Sequence, residues 1–345
     1  MEIQWRARPG GRSDGGMRFD WLDPADAETT EAVLDLWQAA HRVDLPRDPA
    51  FARQDARGRI VFPNPTEPAR FLLASAGREL LAVAEISTPV LDNLCTAFVA
   101  ITTRPYARRR GIGTRVWEEV VEYCLSNGRK LVMVDTVDPG AGASFARQLG
   151  AEAALRDVRR RLVVDAAART RAAELAAAAA PAAAGYAVHS FLGPVPAQWL
   201  DGMAELMGRM STDVPLQDLA WEPEVFDAAR VRSREAVDAA CGRHVFTTIA
   251  VHSTSGAVAG YTRIGVPTED PTAGWQHDTL VDPEHRGHRL GVLLKTANLA
   301  HTMARAPGLT TVLTWNAEDN RHMIAVNEAM GFEVFDHWVE WQRPL

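Results

Sequence analysis

Cysteine is scarce: three in 345 residues, Cys95, Cys124 and Cys241, with no CxxC pair. That excludes a disulfide scaffold or a cysteine zinc site as the organising principle. No stretch is apolar enough for a bilayer: MEIQWRARPGGRSDGGM at the amino terminus lacks the apolar core of a leader, and 175–184 is alanine with one proline. The expectation is a cytoplasmic chain. A surplus of positive charge is missing too, since 37 Lys and Arg stand against 44 Asp and Glu, a net charge of −7. A nucleic-acid backbone is therefore not the expected main partner. What is present is apolar content, 47% hydrophobic against 23% charged, enough for one large or two medium cores, and this excludes disorder as the main state.

The chain repeats itself. FVAITTRPYARRRGIGTRVWEEVVEYC near position 110 and HDTLVDPEHRGHRLGVLLKTANLAHTM near position 288 share one order: apolar run, Pro turn, basic-glycine loop, amphipathic helix. Arg108 to Gly113 and Arg286 to Gly291 have equal length. Two copies of one domain are expected, 1–184 and 185–345. The alanine-rich segment 166–184 between them reads equally well as a linking helix or as the terminal helix of the first copy.

Periodicity and turn residues give the first copy strand 17–22, helix 27–41, a loop-rich stretch 42–69, strands 71–75, 80–87 and 94–101, helix 112–126, strand 130–135, helix 142–149 and strand 157–164. The second reads as strand 186–191, helices 196–208 and 224–240, strands 245–251, 257–264 and 275–281, helix 290–303, strand 309–314, helix 319–329 and strand 332–341. This mixture predicts an α/β class with a mostly antiparallel sheet and a parallel step at each glycine loop.

Each loop lies between a strand and a helix, where the first helical amides have no partner inside the helix. Those amides and the helix dipole make an anion site, and glycines let the backbone approach the ligand. Arginines before the glycines add donors suited to phosphate oxygens, so the loop reads as a diphosphate cradle. A solvated surface turn is the plainer reading of one loop alone, and its recurrence makes that reading weaker. A dinucleotide fingerprint is the physical rival, with Asp135 closing LVMVD as the ribose acid. Against it, Val116 stands where the third glycine belongs, and several strands precede the loop.

Arg108, Gly111 and Gly113 complete a pattern that resembles the acetyl-CoA motif of the GCN5-related N-acetyltransferase superfamily, in the tandem arrangement of actinobacterial and mycothiol-synthase-like members. The second copy keeps Arg286 and Gly291 but carries Arg289 at the middle glycine, and TWNAEDNRHMIAVNEAMGF (314–332) is similar to the family's strand–helix–strand segment. Two tandem acyl-CoA N-acyltransferase domains are what the resemblance implies, with acetyl-CoA as cofactor. It further implies that Arg108, Arg109, Arg110, Gly111, Ile112, Gly113 and Thr114 wrap one pyrophosphate. Arg286, Gly287, His288, Arg289, Gly291 and Val292 would wrap the other. Val99, Ile101, Leu280 and Val281 would pair with the pantetheine, and Asn316, Asn320 and Asn327 would face the cofactor. Arg289 is expected to take near-helical angles in a slightly wider turn.

Acetyl transfer to an amine needs an acceptor for the amine's proton and donors for the developing oxyanion. By the resemblance a Tyr acid would fall at Ala146 and Asn327 here, so that acid is missing from both copies. His277 and Asp278 on the strand before the second loop are the candidate bases; alternation sends only one into the cleft unless a bulge intervenes, and Asp278 needs burial to raise it. Glu85 is the nearest candidate in the first copy. The second domain is thus expected to be catalytic and the first a weaker or structural CoA-binding copy, with an acyl-CoA-binding regulatory module without turnover as the alternative. Segments 42–69 and 209–224 would roof the clefts, Asp213, Asp218, Glu222 and Glu224 would draw in a cation, and Trp199, Trp221 and Trp275 would wall a pocket. The expected partners are a small-molecule amine and, in a homodimer, a second copy, with neither nucleic acid nor a membrane.

Overall fold

The computed structural model describes residues 12–14, 16–62 and 64–345; most of the amino-terminal segment read above for a leader lies outside the described residues. The chain runs β1 (Arg12–Asp14), β2 (Met17–Trp21), α1 (Ala27–Asp44), α2 (Arg53–Val61), β3 (Ala69–Ala76), β4 (Glu79–Ser87), β5 (Thr96–Thr103), α3 (Ile112–Ser126), β6 (Leu131–Val137), α4 (Ala141–Gln148), β7 (Glu152–Val163) and α5 (Ala166–Ala179). It continues β8 (Tyr186–Leu192), α6 (Leu200–Asp213), α7 (Ala228–Ala240), β9 (Arg243–His252), β10 (Val258–Pro267), β11 (Ala273–Val281), α8 (Leu290–Arg305), β12 (Thr311–Ala317), α9 (Arg321–Met330) and β13 (Glu333–Pro344).

Two departures from the sequence reading have local causes. The loop-rich stretch 42–69 contains α2, a short helix whose charged sequence buries only Ala56, Gly58 and Ile60. Helix α7 starts at Ala228 rather than 224 because Asp227 caps it, its side chain accepting from the Arg230 amide.

Among the described residues thirteen strands join one sheet, in the order β1-β2-β3-β4-β5-β6-β13-β7-β12-β11-β10-β9-β8, and only β5–β6 and β11–β12 are parallel. The two repeats interlock: β13, from the end of the chain, lies between β6 and β7, while β7 pairs with β12 of the second repeat. Helices cover both faces. In the first repeat α3 packs on one face through Val116 and Val120, and α1 on the other through Val33 and Leu36. Helix α5 buries Ala168 and Ala172 in the core shared with Leu299 of α8 and Val326 of α9, so it covers the second repeat rather than bridging solvent.

Arg159 of β7 pins the interlock. Only 2% of its side chain is exposed, and it donates to Asp48 at 2.6 and 2.7 Å and to Asp336 of β13 at 2.8 Å. The guanidinium also lies over the rings of Phe335 and Trp338.

Candidate active site

The two basic-glycine loops share one backbone with exchanged residues. In the first, Arg109 (φ 62°) and Gly111 (φ 78°) are left-handed; in the second, Gly287 (φ 89°) and Arg289 (φ 55°) are. Arg289 therefore does not take the near-helical angles expected of it, because the turn is conserved in shape and the side chain bears the strain. Alternating left-handed residues aim successive amides into one concavity, an anion nest. Helices α3 and α8 follow without a side-chain cap, as do α2, α4 and α6, but only α3 and α8 open on a left-handed residue. Their first amides stay available to a ligand. A Cβ on Gly111, Gly287 or Gly291 would meet nothing within 4 Å, so the approach is open. These features fit a diphosphate.

The leading arginines do something else. Arg108 donates to the Thr103 carbonyl and, bidentately, to Asp44 at 2.6 and 2.7 Å. Arg286 likewise reaches the Val281 carbonyl and Asp213. Both brace the loop to the preceding strand and to the helix α1 or α6, a role the sequence reading did not assign them. Arg109 and Arg110 are exposed. His288 and Arg289 contact the carbonyls of Ala182 and Ala178 at the end of α5. Ile112 is buried in the first core, Gly113 packs on Phe145, Thr114 is half-buried, and Val292 packs on the second core.

Beside each loop the parallel strands part. The β5–β6 ladder ends at Phe98–Met133 and the β11–β12 ladder at Gln276–Thr314. Beyond those rungs Val99 and Ile101, and likewise Leu280 and Val281, pair only with their antiparallel neighbours. The first gap is a 520 Å³ slot lined by Val99, Ile101, Trp117, Val134 and Phe145. The second opens into a 600 Å³ cavity that runs from Gln276–Thr279 and Thr314–Ala317 to a chamber beneath Leu216, Leu219 and Trp221. Segment 209–224 thus roofs this chamber, with Trp221 against Phe98 at 5.4 Å between ring centroids, and Glu67 and Glu224 line it. Asp213 is held by Arg286 instead, Asp218 and Glu222 lie outside the lining, Trp199 packs on His189 and Phe191, and Trp275 faces a separate pocket.

A bulge in the β10–β11 ladder falls at His277 and Asp278, between the rungs Thr262–Thr279 and Ile264–Gln276, so both line the cavity. Burial does not raise Asp278 as a base role requires. Desolvation works against its charge, but Arg234, 3.3 Å away, and Arg263 hold the carboxyl below its ordinary value. His277 is pushed down to about 4 by burial and by Arg263, which leaves it neutral and a weak base near pH 7. Glu85 spends both oxygens on Arg59, at 3.0 and 2.9 Å, and lines neither cavity. The asparagines fasten α9: Asn327 donates to Asn316 at 2.6 Å and Asn320 caps the helix, although Asn316 and Asn320 also line the cavity.

The groups that titrate near neutrality are not among the candidate bases read from the sequence. On adjacent strands Asp135 (β6) pairs with Glu340 (β13), and Asp157 (β7) lies beside them. Burial and mutual repulsion push Asp135 to about 6 and Glu340 to about 8, and burial pushes Asp157 to about 6. Glu67 is raised to about 7 by burial and by Glu224 and Glu85. They come from separate sequence segments, and only the strand exchange assembles three of them. Among the described residues no His, Cys, Asp and Glu cluster is arranged to hold a metal ion.

Two nests, each opening a helix, and two parted strand pairs define a duplicated acyl-CoA-type fold, and the acetyltransferase (GNAT) family model matches residues 30–151 and 214–332. The chain belongs to that family. It is 29% identical to a solved tandem GNAT protein from the clavulanic acid biosynthesis pathway, covering 95% of this chain and 98% of that one with a TM-score of 0.78. A mycothiol acetyltransferase from Sanguibacter keddieii is 26% identical over 330 residues, 93% of this chain and 95% of that protein. A GCN5-related N-acetyltransferase from Sphaerobacter thermophilus shares the fold at 16% identity and a TM-score of 0.67, covering 96% of each chain.

Proposed function

We propose that this protein is an acetyl-CoA-dependent N-acetyltransferase that acetylates the amine of a small molecule by direct attack in a ternary complex, with the second repeat catalytic. The observation that supports this reading is the continuity of the β11–β12 slot with the acidic chamber, one cavity with room for both a donor and an acceptor. The first slot, beside Trp117, lies outside that cavity apart from Asp135, which borders both; it fits a structural or weaker CoA site.

Acetyl-CoA, when bound, supplies an activated acyl thioester. The amides at the start of α8 and the nest Gly287–Arg289 would hold its diphosphate, and the free edges of His277–Val281 its amide-bearing arm. The chamber's carboxylates attract a cationic amine. Asp135, Asp157 and Glu340 cannot all be ionised at neutral pH, so this set can take the proton that an ammonium must lose before it attacks. Asp278 then serves as a fixed charge that positions Arg234. Shared residence in one cavity supplies proximity, the larger part of what such a transfer needs.

The test is a melting shift with CoA and acetyl-CoA, followed by thiol release with a panel of amines. Gly291→Trp, which fills the second nest, is expected to lower turnover at least a hundredfold, while Gly111→Trp leaves most of it. The reverse ranking would move catalysis to the first repeat. Binding without thiol release for any amine would favour the regulatory reading.

A further inference from the structure

Of the 37 Lys and Arg residues only two are lysines, Lys130 and Lys295. Lys130 is exposed, just before β6. Lys295 stands on α8, is 1% exposed, and lines the second cavity together with Gln276 and Thr314, the last rung before β11 and β12 part. The equivalent helix position in the first repeat is Trp117, which lines the first slot. Among the described residues the Lys295 amine has no hydrogen bond or ion pair, only the face of Phe332, 5.6 Å from the ring centroid. No charged neighbour perturbs it; burial alone pushes it down to about 7, so much of it is free base at neutral pH. An arginine there could not lose its proton. Six residues past the Arg289 cap, the Lys295 backbone lies about 9 Å along the helix from the diphosphate nest.

We propose that Lys295 is an acyl-accepting site, taking an acyl group onto Nζ from a donor held in the second slot when no amine occupies the chamber. The inference rests on the transferase reading above. The Nζ lone pair attacks the thioester carbonyl carbon, the N–C bond forms as the C–S bond breaks, and the proton shed by nitrogen goes to the departing thiolate. The products are an acylated lysine and a free thiol. The amide is neutral and bulkier than the amine and stands at the apex of the slot, so acylation limits further use of that slot by the donor.

The experiment incubates the full chain with excess acetyl-CoA and no amine, and reads intact mass and mapped peptides beside the melting shift. The expected result is one acetyl group on Lys295, with Lys130 modified at least tenfold less. The label is lost in Lys295→Arg and in Gly291→Trp, and Lys295→Arg keeps the melting shift that shows it is folded. A melting shift with no label on Lys295, or equal labelling of Lys130 and Lys295, overturns the inference and leaves the transferase reading standing. Absence of any shift with CoA or acetyl-CoA overturns both.

Discussion

Gly111 and Arg289 occupy the same left-handed position in their loops, one with a residue that takes it freely and one with a residue that does not. Because a Cβ on Gly111 would meet nothing, Gly111→Ala isolates the conformational cost, and a loss of about 1–2 kcal/mol is expected in urea denaturation. Arg159 is the opposite case, a residue whose value lies in its partners. Arg159→Met leaves Asp48 and Asp336 facing each other in a mostly buried site, and a loss of about 3–5 kcal/mol is expected by the same measurement. An Arg159→Met protein as stable as the parent would show that the node is dispensable.

Strands β6, β13 and β7 set the pH response. Carboxyls whose folded values lie above their unfolded ones bind more protons when folded, so the stability they confer is present below about pH 4 and is lost as pH rises through 6 to 8. Melting temperature is therefore expected to fall between pH 5 and 8, and less steeply in Glu340→Gln. A flat profile in both proteins would contradict the raised values. The same strands mark where sequence reading stops. The parallel step, the glycine loops and the helices after them were legible, because turn chemistry and apolar spacing are local. The acidic chamber was not: Asp135, Asp157 and Glu340 lie on three strands from separate parts of the chain, and their meeting depends on pairings far apart in it. His277 and Asp278 were legible as polar residues on the right strand, but the partners that hold their protonation, Arg234 and Arg263, come from α7 and β10.

Across the whole molecule, the continuous sheet ties the repeats into one unfolding unit. Calorimetry and urea denaturation are expected to show a single transition rather than two. A chain cut after residue 184 is expected to aggregate, because β6 would lose β13 and β7 would lose both of its neighbours. Two separable transitions, or a soluble folded fragment 1–184, would count against this.

The place of β13 also bears on how the protein is made. The first repeat leaves the ribosome early, yet the strand that closes its sheet, residues 333–344, is made only after nearly all of the second repeat. Until residues 333–344 emerge, β6 carries an open edge that any passing strand can pair with, so a nascent chain stalled before residue 333 should be the species most dependent on chaperones.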